Sequence, residues 1–247
     1  MLEYMTLLVQ STVVAILLGL VVYVGRSWPR RVILAINALA GGVILFLIVK
    51  TVSDVVIRIG EIFQSGQPAP TLAFNPVIFT VVALFGLVGV PLLLVFAIRE
   101  RRRSVVLSVA FGLFNLSLAL VIGGEAATGI YSAGAAAAGA LFLLFLLEGV
   151  SIGALLIKGQ PSPMYVLSLG LIAGLPALAG FNLSAAANND LISPFLQAAS
   201  AGFFIFYLPF VLTIGKDQND VRWQFIGMLT GLVLAGALLT ALPILGG

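Results

Sequence analysis

Long apolar runs, separated by short clusters of charged residues or of Gly, Pro and Asn, recur along the whole chain. A bilayer core about 30 Å thick needs roughly 20 apolar residues per helix. On that measure the runs predict helices at about 5–25, 33–57, 76–98, 104–125, 134–157, 164–184, 194–215 and 224–244. The predicted class is therefore all-α, a polytopic membrane protein with eight transmembrane helices. The longest connections, Gly60–Asn75 and Phe181–Ser193, are too short for a soluble domain, so residues 1–247 are expected to form a single transmembrane domain. Pro91, Pro176 and Pro209 fall inside the third, sixth and seventh spans, where each removes a backbone donor and is expected to kink its helix.

Composition agrees with this class: of 247 residues, 61% are hydrophobic and 9% charged, against about a quarter charged in soluble domains. The twelve cations are distributed unevenly. Loops after odd-numbered helices hold Arg26, Arg30, Arg31, Arg99, Arg101, Arg102, Arg103, Lys158, Lys216 and Arg222, leaving only Lys50 and Arg58 on the other side. Cytoplasmic loops collect Lys and Arg, so the odd loops are assigned to the cytoplasm, both termini to the outside, and the protein to the plasma (cytoplasmic) membrane. The first span is read as a retained helix, since Glu3 and the lack of a basic start do not fit a removed signal peptide. The net charge of +3 reports orientation in the lipid bilayer and implies no nucleic-acid partner. With no Cys and no His, the chain's own residues cannot supply haem, iron–sulfur or Cys/His zinc ligands, a thiol nucleophile or a His-based triad.

An ionisable residue inside lipid is costly enough to mark a functional site. Apart from Asp54 in the charged outer end of the second helix, the carboxylates within the spans are Glu125 and Glu148. At about 1.5 Å rise per residue, Asn115 lies near the midplane of the fourth helix, Glu125 reaches the outer interface, and Glu148 on the fifth helix lies at a depth similar to that of Asn115. The pair could also be purely structural, a protonated Glu148 donating to a neighbouring helix with Asn115 as polar glue. The fourth and fifth helices are rich in small residues, Gly112, Gly123, Gly124, Gly129, Gly134, Gly139, Gly149 and Gly153 among them, which permits close approach and a central position. Lys50, Asp54, Arg58 and Glu61 place alternating charges along one face of the second helix, as a solvated stem would. Asn188, Asn189 and Asp190, with Asn182 and Ser184, offer oxygen ligands but also have ordinary turn composition.

At these residues the chain resembles the ZIP (Zrt/Irt-like protein) family of divalent-metal transporters. Phe114-Asn115-Leu116-Ser117-Leu118-Ala119-Leu120-Val121-Ile122-Gly123 is similar to the family's fourth-helix motif, with Phe114 at its His position and Leu118 at its acidic one. Glu148-Gly149 resembles the end of its fifth-helix motif, with Leu144 and Phe145 at the preceding ligand positions. The run Gly170–Gly180 is similar to its Gly-rich sixth helix, Leu175 standing for the Glu before Pro176. Ala40-Gly41-Gly42-Val43 and Ala198–Gly202 fit as well, and Lys50 and Asp54 keep the spacing of a family His and Glu. The resemblance implies eight helices, outside termini and a site between helices 4 and 5. Of the family's ligands only Asn115 and Glu148 remain in register, which implies a degenerate metal site.

The expected function is that of a transporter moving a cation, divalent metal included, or another small solute towards the cytoplasm. Asn115 and Glu148, the candidate metal ligands, would line the pathway with Ser117 and Ser151, and Asp54, Asp190 and Glu125 are candidate entry residues. No cofactor is expected beyond a transported divalent ion. The alternative is a ligand-depleted, non-transporting subunit or assembly partner of a larger membrane complex. The small-residue helices leave a homodimer open. Enzyme activity is not expected, because nothing pairs Glu148 with a base, nucleophile or metal.

Overall fold

The computed structural model describes residues 14, 16–64, 76–92, 103–127, 135–157, 161–183, 189–213 and 221–240, with side chains left undescribed at 76, 103, 122–127, 135–142, 189–191, 210–213 and 239–240. Among the described residues all regular structure is helical. The helices are α1 (Ile16–Gly25), α2 (Arg30–Gln64), α3 (Pro76–Leu84), α4 (Arg103–Ala127), α5 (Ala135–Leu156), α6 (Pro163–Leu183), α7 (Asn189–Thr213) and α8 (Val221–Thr240). A π-helical turn, Phe85–Gly89, continues α3. Five helices are long and apolar enough to cross a membrane: α2, α4, α6, α7 and α8. The protein is an integral membrane protein in character, with many large apolar side chains exposed on its surface.

Four helices make the core. α2 packs on α5 and α7, and α4 packs on the same two, so α2 and α4 sit opposite one another in a ring. α8 braces α2 from outside and α6 braces α4. Burial follows this order, with 72% of the α4 span enclosed against 17% of the α8 span. Phe111, Phe203, Phe204, Ile44, Leu47 and Leu144, all fully enclosed, belong to one large apolar cluster that joins the ring helices to their neighbours.

The braces are seams of backbone on backbone. A Cβ on Gly42 would strike Met228 O, and one on Gly227 or Gly231 would strike Ala35 O or Leu39 O, so α2 and α8 approach to a distance that only glycine allows. Gly112 and Gly180 do the same for α4 and α6, facing Ile172 O and Leu116 O. These pairings fix direction. Residue 35 lies level with 227 and 39 with 231, hence α2 and α8 run parallel and Arg222 stands level with Arg30. Gly112 against Ile172 and Gly180 against Leu116 make α4 and α6 parallel too, and the hydroxyls of Ser104 and Tyr165, 2.8 Å apart, tie their starting ends.

The small residues of α4 and α5 make close approaches, each to a different neighbour: Gly149 meets Val14 and Leu17, Gly153 meets Val21 of α1, and Gly112 of α4 meets α6. The other small residues singled out on these helices, Gly123, Gly124, Gly129, Gly134 and Gly139, lie outside the described residues or side chains. Two expectations are corrected. First, α2 runs on past 57 to Gln64. Its charged end is amphipathic, with Val52, Val55, Ile59 and Ile62 opposite the Lys50 to Glu61 face, so the helix outlasts its purely apolar stretch. Second, Asn189 and Asp190 open α7 where a turn was expected, a position that suits residues able to cap and to complement the positive end of a helix dipole.

Candidate functional site

Glu148 sits on the ring-facing side of α5 and is completely enclosed, as is Asn115 of α4 to within 1%. The Asn115 amide nitrogen donates to Glu148 Oε2 at 2.7 Å and to the carbonyl of Ala173 on α6 at 3.0 Å. One side chain thus joins three helices. Both amide protons are used, which fixes the amide plane. Two oxygens remain, Asn115 Oδ1 and Glu148 Oε1, each buried without a hydrogen-bond partner. A buried acceptor left unpaired costs about 1–3 kcal/mol, and here two of them belong to one hydrogen-bonded pair.

The local fold explains the carbonyl that Asn115 finds. Pro176, inside α6, has no N–H for Ile172 O four residues earlier, and Gly112 of α4 lies against that carbonyl. α4 and α6 therefore come close enough for the Asn115 amide to reach the next carbonyl along, that of Ala173.

The other candidates separate from this pair. Ser117 turns towards α7, where its hydroxyl lies 3.0 Å from that of Ser193 and donates to Ser193 O at 3.2 Å. Ser151 bonds back to Leu147 O within α5 at 2.6 Å. Both serines are enclosed. Asp54 forms an ion pair with Lys50 on the partly exposed side of α2, and Arg58 pairs with Glu61 one turn on. Asn182 donates to Leu178 O of its own helix. The side chains of Glu125 and Asp190 lie outside those described.

Phe114, Leu118, Leu144 and Phe145, which occupy positions of expected ligands, are all buried in the large apolar cluster. Among the described residues no group of three or more Asp, Glu, His or Cys could hold a metal ion. Two oxygens fall short of the four to six donors a dehydrated divalent ion usually takes. A cavity of about 100 Å³ lies elsewhere, between α2, α3 and α7, lined by Val52, Val55, Ile59, Ala83 and Leu87 among others. Sequence reasoning did not single out Ser108 of α4 or Asn37 and Thr51 of α2, each buried with a side-chain oxygen lacking a partner. Their signal was available, since polar side chains within apolar spans are few.

Compared with known proteins, the chain matches no family model and no curated protein.

Proposed function

We propose that the protein is a ZIP-like transporter of the plasma membrane, crossing it eight times with both termini outside, which moves a cation or other small solute towards the cytoplasm past Glu148. The observation that carries this reading is the pair of buried, unpartnered acceptor oxygens, Glu148 Oε1 and Asn115 Oδ1. When Glu148 is ionised these oxygens are acceptors only, and such atoms attract positive charge or a hydrogen-bond donor. With a single carboxylate, the site suits an ion that keeps part of its water, or a small donor solute, better than a fully dehydrated zinc or iron ion.

The test is thermal stability of the detergent-purified protein with zinc, manganese, iron(II), cobalt, cadmium and alkali cations against a chelator, for wild type and Glu148→Gln. A ligand that binds only the folded state must stabilise it. An ion that raises the melting temperature of the wild type alone supports transport, and a response independent of Glu148 removes Glu148 from the pathway.

A second reading is a non-transporting subunit of a larger membrane complex. It is favoured by the dry packing of Phe114, Leu118, Leu144 and Phe145 around positions where metal ligands were expected. Stoichiometric co-purification with other membrane subunits, together with no ion response, would select it.

A further inference from the structure

Ser104, Ser108, Phe111 and Asn115 follow one another by four, three and four residues and so share one face of α4. On α7, Ser193, Ser200 and Phe204 are spaced by seven and four, and Ser193 and Phe204 both touch α4. These two faces meet at Phe111 and Phe204. Their rings pack edge to face with centroids 5.1 Å apart and planes at 64°, and both side chains are fully enclosed.

Polar groups lie on both sides of this aromatic contact. Asn115 is one turn beyond Phe111, with Glu148 bonded to it, and Ser200 is one turn before Phe204. In the other direction, towards the end where the Ser104–Tyr165 contact stands, Ser108 is buried and its hydroxyl has no partner. Ser151, Ser168 and Thr230 satisfy their hydroxyls by bonding to the carbonyl four residues back, and Ser108 does not. The aromatic pair is thus a carbon-only layer between two polar levels of the same helix faces.

We propose that Phe111 and Phe204 form a gate that closes the Asn115–Glu148 site from the basic, cytoplasm-facing end of the helix ring. The proposal rests on the reading of that site as a transport site. Apolar constrictions block ions and water by dewetting. Ring rotation opens such a layer without breaking a hydrogen bond, so its closure is reversible. Ser108, buried one turn to the cytoplasmic side of Phe111 on the same face of α4, would meet water or solute as the rings part.

The chain has no cysteine, so an introduced cysteine is its sole thiol. The test places Ser200→Cys, just beyond the gate, in vesicles of known orientation and measures labelling by a charged, membrane-impermeant thiol reagent added on either side. Combined with Phe204→Ala, labelling from the cytoplasmic side is expected to rise roughly tenfold or more as the dewetted layer is lost, with the outer rate unchanged. Phe204→Leu and Phe111→Leu, which keep apolar bulk, should show a smaller rise, and they decide the matter if Phe204→Ala does not reach the membrane. An unchanged rate in variants with wild-type melting temperature and elution profile overturns the gate, as does an equal rise from both sides. Labelling needs no knowledge of the solute. A failure of ion binding at Glu148 would overturn the transport reading and leave the labelling result standing, so the two failures are distinguishable.

Discussion

Asn115 holds Glu148 by one carboxylate oxygen, Oε2, and leaves Oε1 without a partner. The same amide reaches Ala173 O, so the orientation of the carboxylate is tied to the path of α6 as well as to α4. The half-satisfied carboxylate separates two kinds of substitution at Glu148.

Glu148→Gln keeps an oxygen to accept from Asn115 and should leave the melting temperature close to wild type, while abolishing solute uptake or ion-dependent stabilisation. Glu148→Leu strands one Asn115 amide proton in a dry interior and should cost about 1–3 kcal/mol. Thermal denaturation in detergent, paired with uptake in proteoliposomes, checks both. Wild-type uptake by Glu148→Gln would remove the carboxylate from the transport path.

Asn115→Leu should destabilise more than Glu148→Leu, because it takes the donor from both the carboxylate and Ala173 O. The double variant Asn115→Leu/Glu148→Leu should be less damaging than the sum of the two, with a coupling of about 0.5–3 kcal/mol. Denaturation of all four proteins measures it, and strict additivity would show that the bond contributes nothing to stability.

Gly231→Val and Gly180→Val insert carbon where a neighbouring carbonyl already sits. Each is expected to cost about 1–3 kcal/mol, the usual penalty of overpacking, and to lower yield of folded protein. Gly60→Ala, with open space around it, is the control that should be tolerated. Melting temperatures compare them directly.

Asp54→Asn removes the partner of Lys50 from a partly exposed i,i+4 ion pair. Such pairs contribute about 0–1 kcal/mol, so stability should change little and the small effect should fade with added salt. A large loss would assign Asp54 a role beyond the helix surface.

Much of the helix pattern was legible in the sequence because lipid demands an internally bonded backbone and an apolar exterior. The spans predicted for α6 and α8 fall within a few residues of those observed. Ends were less legible: α2 continues to Gln64 because an amphipathic turn can follow an apolar one without a break. The depth argument paired Asn115 with Glu148, since rise per residue is enough to compare levels. Rotation about the helix axis was not available from depth. That is why Ser117 and Ser151, chosen for proximity in sequence, turn respectively to α7 and to their own backbone. The partner of each glycine was likewise hidden, because small residues announce close approach without naming the helix approached.

The glycine seams divide the molecule mechanically. Along α2/α8 and α4/α6, backbone rests on backbone at Gly42, Gly227, Gly231, Gly112 and Gly180, where no side chain stands between the helices to change rotamer and let one slide on the other. α4 and α5 meet over a smaller area, joined by the Asn115–Glu148 bond. Any rearrangement of the bundle should therefore carry each seamed pair as one rigid body and concentrate shear between α4 and α5. Spin labels across α4/α6 should report one sharp distance under every condition, while labels across α4/α5 broaden or shift when solute is added. A shifting α4/α6 distance would show that the plane of slip runs elsewhere.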